Sequence, residues 1–532
     1  MSYPYLANNV AYTLPQVPAK SHLKGSVSLE IPPITPVATK DDCFSVTLSQ
    51  NRKIALAVLL VFANFVPMIS FGAGMGGGLS ISASLGVSEP SQASWIAASY
   101  PLTAGAFILM SGRLGAVFGH ARILLLGATW WIVWTLINGF CTDFTVFNVA
   151  RGLSGIGGAM VVPNAVAIIG TTFPPGTMRN RCLGLFGAGA PVGGWFGALM
   201  AGFLAERLPF KWLFVFMALL GTLVFGSLAI VMPHETPVSE GESMDWTGSV
   251  LGISGIIIFN FVWNQAPKAG WSSPYEIALL VVSIILILGF GLWESRLAAR
   301  PIMPITIFCA PSFTPTIIVV LFSFMSYGTF IWYMIAWQQK VRHWSVVSTA
   351  LGLTPLAIFS AAGAFIAAWL VPRLAVQWIL VIGALAVLVA EVLVATMPEQ
   401  QLYWIQMLPA TVIQSFCPDF IYTAAQIVAC NSVGRKEQGI AGSLIGTLQL
   451  YATSIGLGFA GIVETHAVTH ATPQDAAKGF RAALYFGMGL AVVALAVSVL
   501  FVKMPKQSQE GWQAEDTTVN ASAEEQKQIS PA

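Results

Sequence analysis

Charged residues are scarce: Asp, Glu, Lys and Arg make up 9% of the 532 residues, where a soluble globular chain carries about 25%. That deficit excludes an ordinary water-facing surface for a chain of this size. The formal net charge is only +2, and no basic stripe is interleaved with aromatics, so a nucleic-acid partner is not expected. The six cysteines (Cys43, Cys141, Cys182, Cys309, Cys417 and Cys430) are scattered without a CxxC pair. They predict free thiols, with no disulfide framework, metal site or cofactor. An early apolar run is also missing: the first fifty residues are polar and rich in Pro and Ser. No cleavable signal is therefore predicted, and the first hydrophobic segment is expected to act as an uncleaved insertion signal. Enzyme signatures are wanting too. There is no Walker lysine motif and no Gly-x-Ser-x-Gly in a strand–turn–helix setting. His466 and His470 stand four apart but lack the Glu of a zinc motif. An enzyme and direct drive by ATP are both unexpected.

What the sequence has is apolar length. Hydrophobic residues are 56% of the chain, gathered in runs of the ~20 residues that a helix needs to cross ~30 Å of hydrocarbon. The runs predict an all-α polytopic membrane protein with fourteen transmembrane helices in a lipid bilayer. Residues 1–53 and 504–532 read as disordered tails. Residues 54–232 and 313–503 read as two six-helix halves, with an acidic loop and two inserted helices at 233–312. With the N-terminus inside, predicted inner loops and the segment after the last span hold eleven Lys and Arg, against seven in outer loops. This positive-inside bias places both tails in the cytoplasm; Lys340 and Arg342, in an outer loop, run against it.

Few polar groups interrupt the spans. Arg151, Glu391 and Asp419 are charges in predicted hydrocarbon, each costing at least ~2.5–3.5 kcal/mol on insertion scales. They are candidates for a proton path, with a static tether as the alternative for Arg151. Asp419 falls near mid-span beside Pro418, where backbone bonding is interrupted. Glu391 falls toward the outer end of its span, within reach of the membrane surface. Gly187, Gly189, Gly193, Gly194, Gly197 and Gly202 crowd one span around Pro191. Small residues there let backbones approach closely, as a bending helix or as static packing. Trp332, Tyr333, Trp337 and Gln338 can line a cavity for planar organic molecules or form an interfacial belt. A weak internal echo relates residues 179–206 to 435–464: each begins at an inner basic pair, passes through small residues and ends on an outer Glu. It fits a transporter built from repeats, or simply two Gly-rich spans.

Several segments carry a resemblance. "WIAASYPLTAGAFILMSGRLGAVFGHAR" (Trp95–Arg122) resembles the second span and inner loop of the major facilitator superfamily, with Gly112, Arg113, Gly119 and Arg122 at its loop positions. Arg151 followed by Gly155, Gly157 and Gly158 resembles the fourth-span arginine motif. "GAGAPVGG" (Gly187–Gly194) resembles the fifth-span motif of exporters. Asp245–Trp271, Glu294–Phe308 and Gln438–Gly461 are similar to the fungal fourteen-span drug:proton antiporters. That branch includes proteins associated with aminotriazole resistance, borate export and low-affinity ammonium passage. The resemblance implies the major facilitator fold and a secondary transporter that exports small organic molecules against entering protons. It implies Arg151 in the proton relay. A monomer in the plasma membrane, or alternatively the vacuolar membrane, is expected. Two departures stand out. The loop motif has Ala116 where an Asp is usual, which removes the customary partner of Arg113, His120 and Arg122. The first span offers Asn64 where many members carry an Asp, so Asp419 first and Glu391 second are left to carry the proton. Both departures raise the alternative of a facilitator or importer of a small solute such as ammonium or borate. A transporter-like sensor or scaffold is a third reading.

Overall fold

The helices begin and end where local chemistry dictates. The computed structural model describes residues 49–173, 176–205, 207–232, 243–299, 301–433, 438–468 and 473–503, and among these no strand occurs. The expected tails, apart from 49–53, and the acidic stretch 233–242 lie outside the described residues. The helices are α1 (Gln50–Ser84), α2 (Pro90–Phe118), α3 (His120–Asn138), α4 (Phe144–Thr172), α5 (Thr177–Ala205), α6 (Lys211–Val231), α7 (Trp246–Ala269), α8 (Pro274–Leu292), α9 (Phe313–Ala336), α10 (Val346–Gly352), α11 (Thr354–Leu370), α12 (Val376–Ala395), α13 (Met407–Gln414), α14 (Phe416–Ser432), α15 (Gln438–Ala467) and α16 (Pro473–Leu500). Asp143 caps α4 by accepting from Thr145 N and Val146 N at 2.8 and 2.9 Å, and Asp245 caps α7 through Gly248 N at 2.9 Å. Such caps satisfy amide donors that have no partner inside the helix. Pro90 and Pro274 open α2 and α8, where the missing N–H costs nothing. Gly119 joins α2 to α3 in a single residue at φ 99°, a turn that a side chain would strain.

Among the described residues, thirteen helical segments are long and apolar enough to cross a membrane. Of the fourteen spans the apolar runs predict, the one falling at 403–430 is not a single helix: it contains α13 and α14, which meet end to end at Ser415. Two short π-helical turns, Trp293–Leu297 and Trp337–Val341, extend α8 and α9. The outward surface is apolar. Leu219, Leu223 and Ile230 of α6 and Ile285, Leu288 and Leu292 of α8 are exposed. A water-soluble chain rarely shows so much contiguous apolar area. With thirteen such segments, the chain is a multi-pass membrane protein whose solvent is lipid.

Three cores hold the bundle. One runs from Leu56 to Met232 and a second from Ile307 to Val502. A third joins Met75, Leu79 and Ala97 to Trp332, Trp337, Leu457 and Phe480. α1 and α5 approach most closely through glycine: Gly72 lies against the Gly194 backbone, and Gly197 lies against Ile69 O. α7 packs on α2 and α15, whereas α8 packs on α7 and turns its other faces outward. The grip on α15 is polar and aromatic. Asn260 Oδ1 accepts from Asn264 Nδ2 at 2.7 Å and from Ser454 Oγ at 3.0 Å, and Trp263 stacks on Phe459 at 3.9 Å. Amide donors and acceptors satisfied this way in hydrocarbon tie helices together.

Candidate functional site

Arg151 is fully enclosed on α4. Its Nη2 donates to Ser70 O of α1 at 3.0 Å, while Nε and Nη1 have no hydrogen-bond partner. Gly74 of α1 lies directly against the guanidinium, so a larger residue there would evict it. Tyr100 of α2 presses its hydroxyl against Gly158, two turns along α4. Gly74 on α1, and Gly155 and Gly158 on α4, are thus what let α1 and α2 close around the charge.

The predicted carboxylates lie elsewhere. Asp419 sits in the first turn of α14, after the break at Ser415. Its Oδ2 is buried without a hydrogen-bond partner and faces Gly363 of α11, where a Cβ would stand 3.3 Å away. The break is held by Ser415, whose Oγ donates to Thr411 O at 2.8 Å, and by Ser360 Oγ, which donates to Ser415 O at 3.0 Å. Glu391 does not reach the membrane surface as its place in the sequence suggested. It is fully buried on α12, because Gly487 of α16 lets that helix press onto its carboxylate. Ser326 Oγ of α9 donates to Glu391 Oε1 at 3.3 Å, and Oε2 has no partner. Arg151 contacts neither acid.

The aromatic and amide residues near the end of α9 are packed away in this conformation. Trp332, Tyr333 and Trp337 are fully buried and Gln338 is 1% exposed. Trp332 lies against Gly78 of α1, with a Cβ there only 3.0 Å from its ring. Tyr333 Oη donates to Glu464 Oε2 at 2.8 Å. The Arg481 guanidinium lies 5.2 Å from the Trp337 ring centre. Gln338 Oε1 accepts from Arg342 Nη1 at 3.3 Å, and partial burial lowers the Arg342 pKa. Two side chains here reach across from the 313–503 half to α1 and α5 or back. Gln339 Nε2 donates to Gly76 O at 2.9 Å, and Trp195 Nε1 donates to Ala350 O at 3.1 Å. Two open hollows of about 400 and 390 Å³ lie on the flanks, around Phe140 and around Trp212. Neither contains a predicted site residue.

The glycine motifs separate on inspection. A Cβ on Gly193 would stand 2.5 Å from Phe65 O, whereas Gly187 and Gly194 face open space, though the Gly194 backbone seats Gly72. Pro191 lies inside an unbroken α5. Gly112 lies against Ser443 of α15, with a Cβ 3.1 Å from Oγ. In the first turn of α3, Arg122 is exposed. His120 has a partner that sequence reasoning missed: its Nδ1 is 2.8 Å from Asn164 Oδ1 of α4. Asn164 Nδ2 in turn donates to Ser111 Oγ at 3.0 Å, and Gly115 leaves the room for both side chains. Asn164 and the Asn260–Asn264 pair went unnoticed, and Glu464 was noted only as the outer end of the internal echo. The four-residue spacing of Asn260 and Asn264 on an apolar helix was the one readable signal among them.

The sequence profile of the Major Facilitator Superfamily matches residues 54–401 and 316–529. The chain is 34% identical to the efflux pump terJ of Aspergillus terreus over 85% of this chain and 88% of the pump. It is 33% identical to a low affinity ammonium transporter of Saccharomyces cerevisiae, over 81% of this chain and 85% of that one. Among solved structures, a bacterial homologue of the human lysosomal transporter Spinster, inward-facing and unoccupied, superposes with a TM-score of 0.61. That match covers 88% of this chain and 100% of the other at 16% identity, a likeness of fold alone.

Proposed function

The chain belongs to the major facilitator superfamily, and on that premise we propose that it exports small organic molecules in exchange for protons. The family makes it a membrane transporter with an all-α fold. In the proposed cycle, residues 54–232 and 313–503 are the halves that rock against each other, with 233–312 inserted between them.

One observation carries the proton reading. Glu391 and Asp419 are interior carboxylates of one half, each with a buried oxygen that has no hydrogen-bond partner, and among the described residues neither is joined to a cation. An ionised carboxylate in such a place costs several kcal/mol unless something compensates it. A proton compensates it, and rearrangement of the halves changes how readily that proton leaves. Arg151, with two free guanidinium nitrogens behind α1, supplies a fixed positive charge in the other half. The kinship with an efflux pump supports outward transport of an organic substrate. Trp332, Tyr333, Trp337 and Gln338 meet that substrate when the outer contacts part. A monomer in the plasma membrane completes the reading.

The test is substrate efflux from sealed vesicles under an imposed pH gradient. Wild type responds to the gradient. Asp419→Asn keeps the shape, abolishes titration and loses that response while retaining downhill exchange. Should Asp419→Asn stay gradient-driven and Glu391→Gln fail, Glu391 is the carrier. A wild-type protein indifferent to the gradient overturns the antiporter. The reading then becomes a facilitator of a small solute, which Asn64 in place of a first-span acid and the ammonium-transporting relative both favour. Asn64 is engaged structurally, donating to Phe186 O of α5 at 2.8 Å.

A further inference from the structure

Glu464 plays no part in the cycle just described, yet it is a third interior acid of the same half. It lies near the end of α15 that the loop charges place outside, and it is 6% exposed. Among the described residues its one side-chain hydrogen-bond partner is Tyr333 Oη of α9 at 2.8 Å. The surroundings are dry. The Phe480 ring lies 5.7 Å from the Tyr333 ring, and both are fully buried. Gly479 of α16 presses on the acid, so that a Cβ would stand 3.2 Å from Glu464 Cγ.

The charged groups facing this site from the packed helices are committed elsewhere or absent from contact. On α16, Lys478 pairs with Asp475 at 3.3 Å, and Arg481 donates to Met397 O at 3.0 Å while lying over Trp337. On α15 itself, His466 Nδ1 is 2.8 Å from Ile462 O. On α7, Lys268 is exposed beyond Pro267, which packs against Gly461. From α2 the nearest charge is another acid, the exposed N-cap Glu89. Glu464 therefore has a hydroxyl donor but no cation among the described residues.

Tyr333 and Ser326 are seven residues apart on α9, two helical turns and so one face. That face gives its hydroxyls to two different acids, Ser326 to Glu391 on α12 and Tyr333 to Glu464 on α15. The geometry points to Glu464 with Tyr333 as a second protonation site of the transport cycle, on the outer side, acting on α9 alongside Glu391. Ionised, Glu464 accepts the Tyr333 proton in a charge-assisted bond that ties α15 to α9. When a proton from the outer water binds the carboxylate, that bond becomes a neutral one, roughly half as strong, and the tie between the helices loosens. No other bond is made or broken. The inference rests on proton-driven transport, and its test separates the two.

The experiment has two arms on the full-length protein. Infrared difference spectroscopy of purified protein in lipid follows the carboxylic-acid C=O stretch as pH is varied. A titrating band is expected that is lost in Glu464→Gln and moves in frequency in Tyr333→Phe. If no band depends on Glu464, the proposal is overturned, whatever transport does. In vesicles, outer pH is varied at fixed inner pH. Wild-type efflux is expected to depend on outer pH. Glu464→Gln loses most of that dependence, and Tyr333→Phe keeps it with an alkaline shift of its midpoint, since the ionised acid has lost its donor. Unchanged outer-pH profiles in both variants overturn the site even when Asp419→Asn uncouples. A Glu464 band that titrates in a protein indifferent to any gradient upholds the protonation site and overturns proton-driven transport instead.

Discussion

Gly193 and Gly194 are neighbours in one motif, and the structure gives them opposite fates. A methyl on Gly193 would stand 2.5 Å from Phe65 O and 3.1 Å from Met68 Cβ of α1. The obstacle includes backbone, so no side chain can simply swing aside. Bringing the contact to the 3.5 Å of a comfortable carbon neighbour moves α1 away by roughly 1 Å. Overpacking of this kind costs about 1–3 kcal/mol. A methyl on Gly194 meets nothing within 4 Å, and exchanging a helical Gly for Ala stabilises by up to about 1 kcal/mol. Both exchanges share that helix-propensity gain, so the pair should differ by the overpacking cost alone, roughly 1–3 kcal/mol, with Gly193→Ala the less stable. Thermal unfolding of detergent-purified variants, followed by loss of the monodisperse peak in size exclusion, measures this. Gly193→Ala should melt lower than wild type, and Gly194→Ala at or above it. Transport should fall in Gly193→Ala alone, since α1 also carries Ser70 and Gly74 against Arg151. Equal behaviour of the two variants would refute the claim that α1 and α5 touch through Gly193.

Arg151→Lys keeps the positive charge but loses the planar five-donor fork; most transport should disappear while surface delivery stays near normal, and active transport by Arg151→Ala would end the relay role. Gly115→Ala should displace the His120–Asn164 pair, because its methyl would overlap Asn164 Oδ1 and His120 Nδ1. A buried polar group left without its partner costs about 1–3 kcal/mol, so the melting point should drop, whereas Ala116→Gly in the same turn should cost no more than the ~1 kcal/mol of lost helix propensity. Tags at the two ends should both be digested or both protected in sealed vesicles of one orientation, as fourteen spans require when α13 and α14 together make one crossing; opposite protection would sink that count.

The sequence by itself determined the class and the solvent of this protein. Few charges and many ~20-residue apolar runs leave a helical bundle in lipid as the arrangement that satisfies backbone hydrogen bonds. The Arg151 and Gly187–Gly194 motifs were legible because Arg in hydrocarbon and clustered glycine are rare enough to be noticed. What only the tertiary structure decided is which polar atoms meet. Glu391 read as close to the membrane surface, but its burial depends on Gly487, almost a hundred residues away. Two adjacent glycines look equal in sequence, yet a methyl on Gly193 would strike a neighbouring backbone and a methyl on Gly194 would meet nothing within 4 Å. Asn164 stands 44 residues from His120, and Glu464 stands 131 from Tyr333. Periodicity reports which face of a helix is apolar. It carries no record of which other helix comes to lie against that face, and hydrogen bonds between helices depend on that neighbour.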